Sequence, residues 1–398
     1  MKKILIISHT MELGGAERAL LGLLNNIDYE NYSVDLFLER HFGELLPFLP
    51  EKVNLLPENA SYASLGVPAS QVVKNKKFLV AAGRYIGKKK SEKFNRAAGS
   101  AGGVDVTINY SYKYTCPFMP KISKTEYDLV ISFLTPHYFA AKKAKGKMKV
   151  AWIHTDYKAI KIDRKSEEKM WRNFDKIISI SQEVTNNFAE VFPGLKDRII
   201  EINNMHPAGF IRAESEKFTP DDEMPQSCLR LLSIGRYCVA KNFDNVPFIC
   251  KELVEKYGID LKWYIIGYGT DEALIVSKIK EAGMEDRVIL LGKKDNPYPY
   301  VKQCDFYVQP SRFEGNAVTV NEALILGKKV IVTDYDTAKN QVENGVDGVI
   351  VPLENSLCAE GIAAYIRDEK KQEEISNTVS QNDYSNSTEI NKIYELMR

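Results

Sequence analysis

Residues 311–334 read SRFEGNAVTVNEALILGKKVIVTD and place two carboxylates, Glu314 and Glu322, eight positions apart. The first stands before a Gly315-Asn316-Ala317 loop, and the second lies inside an apolar helical pattern. An ionised carboxylate accepts hydrogen bonds and so suits hydroxyl donors. If a helix begins near Ala317, its opening N–H groups, at Ala317, Val318 and Thr319, are unpaired and can meet a phosphate. Eight helical residues rise about 12 Å. That span suits a ligand with hydroxyl-bearing ends and a diphosphate middle. A fixed cation pair is the complement: Arg236 follows Gly235, and Lys241 comes five residues later. Two such cations can clamp a diphosphate, although Tyr237–Ala240 between them gives little reason for burial, and two solvated charges are the alternative. Gly14-Gly15-Ala16-Glu17 is a glycine turn that opens a helix. Such a turn lets backbone approach a ligand, or is a plain turn. His154, with Asp156 just beyond, ends an apolar run and can polarise a reacting group or serve as an ordinary structural histidine. His137 and His206 occupy similar places. Gly267-Tyr268-Gly269 lacks the third glycine of a dinucleotide fingerprint and is weak evidence for a nicotinamide cofactor.

The elements that must position these residues alternate. In the first half, apolar strands are expected at 2–8, 32–39, 127–134, 148–154, 174–181 and 199–204, with helices after the first and fifth. Residues 55–125 read as a long irregular stretch. The second half restarts at 229–235 and continues at 261–267, 288–293, 305–310, 328–333 and 348–352, with helices between. Continuously apolar strands alternating with helices imply an α/β chain with parallel sheets covered on both faces. Two such series imply two Rossmann-like domains facing a cleft, 1–210 and 228–383, joined by a polar, proline-containing linker at 214–227. Ligands are expected at the carboxyl ends of the strands.

Composition sets the wider limits. The chain has 398 residues, 44% hydrophobic and 27% charged, as in an ordinary soluble protein. Its six cysteines include no C-x-x-C pair, so neither zinc nor a disulfide framework is expected and a reducing cytoplasm fits best. The start, MKKILIISHTMELGG, does not read as a signal peptide, and no apolar run is long enough to span a bilayer. The net charge of +1 conceals an asymmetry: residues 1–205 carry 31 Lys and Arg against 22 Asp and Glu, and the remainder 23 against 31. One half is therefore suited to an anionic partner.

Together GGAER, WIH, SIGRYCVAKNFD, WYIIGYG and the E-x7-E from Glu314 to Glu322, in that order, resemble the retaining glycosyltransferases of family 4, which have the GT-B fold. The run EGNAVTVNEALILGKKVIVTDYDTAKNQVENGVDGVIVP is similar to bacterial enzymes of capsule and exopolysaccharide assembly. The resemblance covers nearly the whole chain. It implies that Glu322 holds the ribose of a nucleotide sugar, UDP-linked hexose or N-acetylhexosamine by default. Glu314 and the Gly315-Asn316-Ala317 backbone would face the donor sugar, with the following helix start at Val318 and Thr319. Arg236 and Lys241 would hold the diphosphate after Gly235, and Gly14 and Gly15 would approach phosphate and acceptor. His154 would contact the sugar near its reacting carbon, and the base would lie near Lys293. The final helix, about 384–398, would cross back onto the first domain. The acceptor implied is a saccharide or a lipid-diphosphate-linked saccharide. Configuration would be retained by a front-face route, in which the leaving phosphate helps deprotonate the acceptor. No metal or other cofactor is expected, because cations and helix termini can stabilise the leaving group; Asp334-Tyr335-Asp336 matches a metal-binding D-x-D only in form. Asn316-Ala317 departs from the aromatic residue and second glycine or proline usual there, which leaves the identity of the donor sugar open.

Residues 74–96 and 142–149 interleave lysines with apolar side chains. They suit peripheral contact with anionic lipid at the inner face of the membrane, or a solvated helix over the first sheet. Nucleic acid is not expected, since the chain as a whole lacks a basic balance and no recognition module is present. A sugar-nucleotide epimerase, a phosphorylase and a non-catalytic nucleotide-sugar-binding subunit are the alternative readings.

Overall fold

A computed structural model describes residues 1–12, 14–97, 104–158, 160–315 and 317–398. The chain forms two compact units: residues 1–205 with 387–398, and residues 206–386. Each is built on a wholly parallel sheet, and the two units give the chain its GT-B organisation of paired Rossmann-like domains.

The first sheet contains β1 (Lys2–Ser8), β2 (Tyr32–Leu38), β3 (Asn54–Leu55), β4 (Glu126–Ser132), β5 (Lys145–Ile153), β6 (Lys176–Ser179) and β7 (Ile199–Glu201), in the order β3-β2-β1-β4-β5-β6-β7. Ile4 to Ile7, Leu129 to Ile131 and Val150 to Ile153 are all buried, because helices cover both faces of the central strands. The order reverses between β1 and β4, which makes that gap the topological switch point.

Residues 55–125, expected to be irregular, are largely helical: Ala60–Ala63, Ala69–Lys74, Phe78–Ala97 and Val104–Thr115. The last two pack closely at Gly83 and Gly87. A Cβ at either position would lie 2.7 Å from the carbonyl oxygen of Tyr114 or Tyr110, respectively. Four-residue glycine spacing thus gives the helix a smooth face for its neighbour, while lysines and tyrosines elsewhere on the two helices obscure an apolar period. The terminal helix Ile390–Glu395 belongs to the first unit. Tyr394 stacks on Tyr32 with ring centroids 4.2 Å apart and accepts the Asp28 backbone N–H.

The second sheet contains β8 (Leu229–Ile234), β9 (Leu261–Ile266), β10 (Val288–Gly292), β11 (Phe306–Gln309), β12 (Lys329–Thr333) and β13 (Val349–Val351), ordered β10-β9-β8-β11-β12-β13, so its switch point lies between β8 and β11. Residues 214–227, expected to be a linker, are instead part of this unit. Met224 is fully buried, Glu223 accepts from Lys294 at 2.6 Å and from the Tyr300 hydroxyl, and Gln303 donates to Asp221. The polar composition that suggested a tether reflects these side-chain anchors.

Candidate functional site

The second switch point brings together the loops after β8 and β11. After β8, Gly235 and Arg236 lead into a short 3-10 turn, Val239–Lys241, which ends at Asn242 in the left-handed region. The helix Val246–Glu255 begins only after this turn, so Lys241 sits ahead of the helix rather than at its start. The Lys241 stem lies over Gly235, where a Cβ would be 2.9 Å from Lys241 Cε. A side chain there would push the Lys241 stem off that path. Tyr237, given little reason for burial by its sequence context, is 1% exposed. Gly269 makes this possible, since a Cβ there would be 2.3 Å from the Tyr237 carbonyl oxygen. The Gly267 N–H reaches the Gly292 carbonyl at 3.0 Å, which ties the β9 and β10 loop ends together beside Lys293. Lys293 itself lies 5.6 Å from the centre of the Tyr268 ring.

After β11, Glu314 turns back toward Lys241. Its Oε1 accepts from Lys241 Nζ at 2.5 Å and from Ser311 Oγ at 2.6 Å. Gln309 Nε2 is 3.3 Å away, and Thr337 Oγ1 donates to the Glu314 carbonyl at 2.9 Å. Both charged side chains are mostly enclosed. The expected Arg236–Lys241 clamp therefore has a different resting form: Lys241 is neutralised by Glu314, while Arg236 is exposed and makes no ion pair among the described residues. Charge-assisted hydrogen bonds contribute about 1.5–3 kcal/mol each, so an anion arriving at Lys241 competes with a bond of that order.

The helix Val318–Ile325 starts from Ala317, as its pattern implies. One opening group is already used: the Ala317 N–H donates to Gln341 Oε1 at 2.9 Å, and Gln341 Nε2 returns a bond to the Ala317 carbonyl at 3.1 Å. The N–H groups free to meet an anion, among the described residues, are thus those of Val318 and Thr319 rather than Ala317. Thr319 Oγ1 donates to Gln309 at 3.2 Å. Gly315 is exposed; Asn316 falls outside the described residues. Glu322 is 2% exposed, and its Oε1 accepts from the Tyr298 hydroxyl at 2.9 Å. Gln309, Ser311, Thr337, Gln341 and Tyr298 were not singled out in the sequence. Each is a single polar residue, Gln309 at the end of β11 and the others in irregular or short helical segments, and only the NPYPY run before β11 hinted at one of them.

Asp334 and Asp336 are exposed around a buried Tyr335, and no group of three metal-ligating side chains occurs among the described residues.

In the first unit, Gly14 precedes the helix Gly15–Asn25 in extended conformation, with Gly15 exposed. The Glu17 carboxylate folds back over Gly14, where a Cβ would lie 2.0 Å from its Oε2. Burial pushes Glu17 up from the usual carboxylate range. The chain's own carboxylate thus sits at the helix N-terminus, where an external anion was expected. His154 follows β5 against Phe133, with ring centroids 4.5 Å apart. Burial lowers its pKa to about 3, so its ring is neutral at physiological pH, and its enclosed Nε2 has no hydrogen-bond partner among the described residues. His137 is buried and bonded through Nδ1 to Ser132 Oγ at 2.8 Å, and His206 meets Asn321 at 2.9 Å.

With this geometry in view, comparison with known proteins is decisive for the second unit. Residues 216–381 match the family model of glycosyl transferases group 1. These residues lie within the second unit and resemble a glycosyl transferase group 1 domain. That domain contains Arg236, Lys241, Lys293, Glu314 and Glu322, together with every polar partner described for them. The chain is similar to the N-acetylgalactosamine-N,N'-diacetylbacillosaminyl-diphospho-undecaprenol 4-alpha-N-acetylgalactosaminyltransferase of Campylobacter jejuni, 29% identical over 152 residues, 37% of this chain and 40% of that one. It is also similar to the amylovoran biosynthesis glycosyltransferase AmsK of Erwinia amylovora, 29% identical over 132 residues, 31% of this chain and 32% of that one. These matches span less than half the length of the curated relatives. Among solved structures, Anabaena Alr3699/HepE in complex with UDP and glucose covers 99% of both chains at 16% identity and a TM-score of 0.66. A TarM mutant from S. aureus, in complex with fondaparinux, alpha-GlcNAc-glycerol and UDP, covers 100% of both at 15% identity and a TM-score of 0.67. At these identities the likeness establishes the shared fold.

Proposed function

We propose that the chain is a retaining glycosyltransferase that moves a hexose or N-acetylhexosamine from a UDP-sugar to a saccharide or lipid-linked saccharide in surface polysaccharide biosynthesis. The observation that carries this reading is the Lys241–Glu314 pair at the second switch point, with the buried Glu322 eight residues on in the same domain. UDP in two similarly folded structures and glycan-building activities among the relatives support the donor and the pathway.

In this reading the donor diphosphate displaces Glu314 from Lys241 and recruits the exposed Arg236 together with the Val318 and Thr319 N–H groups. Breaking the anomeric C–O bond leaves negative charge on the diphosphate, and these fixed donors stabilise it as it develops. Glu314, once released, accepts from sugar hydroxyls, with Gly315, Asn316 and Ala317 beside it. Glu322 exchanges or shares its Tyr298 bond for ribose hydroxyls. The base lies along the Gly292–Lys293 backbone, and Gly14 and Gly15 approach phosphate and acceptor. A neutral His154 offers a hydrogen bond near the reacting carbon without competing with it for charge. The leaving phosphate takes the acceptor proton on the same face, which retains configuration; a β-linked product from an α-linked donor would sink that step. No metal is assigned a role.

The helix Phe78–Ala97 exposes Phe78, Leu79, Tyr85 and Ile86, continued by Lys88, Lys89 and Lys90. We assign this face to anionic lipid, which would hold the enzyme at the inner membrane surface beside a lipid-linked acceptor. No helix of the described residues is long and apolar enough to cross a membrane. Flotation with phosphatidylglycerol liposomes tests the assignment: replacing Lys76, Lys77, Lys88, Lys89 and Lys90 should abolish binding, and unchanged binding removes it. The activity itself is tested by a thermal-shift screen against nucleotide sugars, with Glu322→Ala and Arg236→Ala as controls. Stabilisation by a UDP-sugar that both substitutions remove is expected, and stabilisation by a nicotinamide cofactor instead overturns the reading.

A further inference from the structure

The loop after β12, from Asp334 to Gln341, reaches the chain around Glu314 at two points. Thr337, 1% exposed, donates through Oγ1 to the Glu314 carbonyl at 2.9 Å. Gln341 holds Ala317 by both backbone groups: its Oε1 accepts the N–H at 2.9 Å, and its Nε2 donates to the carbonyl at 3.1 Å. One side-chain amide thus pairs with both peptide groups of one residue, much as a residue on a neighbouring strand would.

The amide is itself held in place. Tyr335, 3% exposed, donates its hydroxyl to Gln341 Oε1 at 3.3 Å. Gln341 Nε2 lies 3.5 Å from Asn321 Oδ1, and the Asn321 amide turns its other end to His206 Nε2 at 2.9 Å. A carboxamide offers two acceptor sites and two donors, and Gln341 directs all four to these partners. Tyr335 is the middle residue of Asp334-Tyr335-Asp336, so the inward-facing member of that motif is the tyrosine between two exposed carboxylates.

A helix start is ordinarily closed by a Ser, Thr, Asp or Asn side chain that takes the N–H of the second or third helical residue. Here the capping position is Ala317, and among the described residues no side chain caps the Val318–Ile325 helix. The Val320 N–H goes to the Ala317 carbonyl at 2.9 Å. Gln341 therefore fixes the helix start from outside, as a cap would from within, and does so without consuming the Val318 or Thr319 N–H.

We propose that Gln341, held by Tyr335 and Asn321, is a positioning residue for transfer: it fixes Ala317 so that the Val318 and Thr319 N–H groups stay aligned for the donor diphosphate. N–H dipoles that are already fixed stabilise charge on a leaving group without reorganising at the moment of reaction. Gln341 touches neither sugar nor phosphate in this assignment. It acts through Ala317, so its loss is felt by the diphosphate and not by the uridine end of the donor, which rests on Glu322 and the Gly292–Lys293 backbone.

The inference rests on the glycosyltransferase reading, and the test separates the two. Binding to the full chain is measured by isothermal titration for UDP and by saturation-transfer NMR for uridine, in wild type, Gln341→Met and Tyr335→Phe. The kcat for transfer from the best UDP-sugar is measured alongside. Methionine keeps the length of the side chain and removes both bonds to Ala317. Gln341→Met should weaken UDP about fivefold or more and leave uridine within about twofold, while kcat falls about tenfold or more. Tyr335→Phe removes one hydrogen bond to Gln341 and keeps the buried ring. It should move UDP binding and kcat in the same direction by about twofold, with uridine unchanged, and it reads the brace if the methionine variant does not fold. A merely loosened fold would weaken UDP and uridine together, and that parallel loss overturns the inference. So does UDP binding that is unchanged or tighter in Gln341→Met, because a tighter complex would mean that the released Ala317 N–H serves the phosphate better than the braced one. Failure of wild type to bind UDP overturns the glycosyltransferase reading itself, and the inference with it.

Discussion

At the switch point of the second sheet a carboxylate meets an ammonium at 2.5 Å, whereas at that of the first sheet the Glu39 carboxyl and the His9 imidazole stand 3.8 Å apart and burial shifts both toward their neutral forms. The two sheets share strand logic and each places its cluster where strand order reverses. They differ in what the loops pair together. Lys241 and Glu314 are each other's counterion, and the exposed Arg236 adds a second cation. Glu39 has no cation beside it, so burial removes its charge instead. Equivalent positions in one architecture thus hold a charged pair in one unit and a buried carboxyl facing an imidazole in the other.

Charge removal in the second unit is the largest expected perturbation. Lys241→Ala should lower kcat/KM for transfer by roughly 10²–10³-fold, the usual effect of deleting one donor to a developing oxyanion, and steady-state kinetics with the best UDP-sugar checks it. Glu322→Ala should weaken UDP binding about tenfold or more, through loss of a charged acceptor for ribose. Tyr298→Phe, which removes one hydrogen bond to Glu322, should change it only about threefold. Glu314→Gln is the sharper probe of the pair. It should slow transfer while tightening binding of UDP alone by several-fold, because Lys241 is released from its resting partner. Weaker UDP binding in that variant would mean that Lys241 needs Glu314 for its position.

The smallest effect is on stability. Burial lowers His9 and His206 to about 4 and His154 to about 3. Between about pH 6.5 and 4 the unfolded chain therefore binds protons that the folded chain refuses, and stability falls on acidification. Glu39 acts in the opposite sense. From its ordinary 4.5 to about 8 the folded chain keeps a proton that the unfolded chain releases, so stability falls as pH rises through that window. The first unit, holding His9, His154 and Glu39, should be most stable near pH 6.5, and Glu39→Gln should remove its loss between 6.5 and 8. Chemical denaturation across pH, followed by tryptophan fluorescence, measures this: Trp152 and Trp171 report the first unit and Trp263 the second.

The strands were legible because apolar runs such as KILIIS and KVIVT admit few other fates in a chain of this length. The helix beginning at Ala317 was equally clear, as were the positions of Glu314 and Glu322 around it. Residues 55–125 were not legible, since their helices meet through glycines and tyrosines rather than an apolar stripe. Nor was the resting chemistry. Nothing in the spacing of Arg236 and Lys241 tells that Glu314, more than seventy residues on, already occupies one of them. Gln341 likewise reaches Ala317 across 24 residues. His9 and Glu39 sit at strand ends like many polar residues, and only the sheet order, which sets β1 between β2 and β4, makes them neighbours at the switch point.

The central claim is that the second unit holds a nucleotide sugar through Lys241 and Glu322. Isothermal titration of UDP-glucose, UDP-galactose and UDP-N-acetylglucosamine into wild type, Lys241→Ala and Glu322→Ala tests it most directly. At least one donor should bind wild type in the micromolar range, and both substitutions should weaken that binding tenfold or more while leaving the fold intact. No binding of any of the three to wild type, or binding that survives both substitutions, would contradict the account.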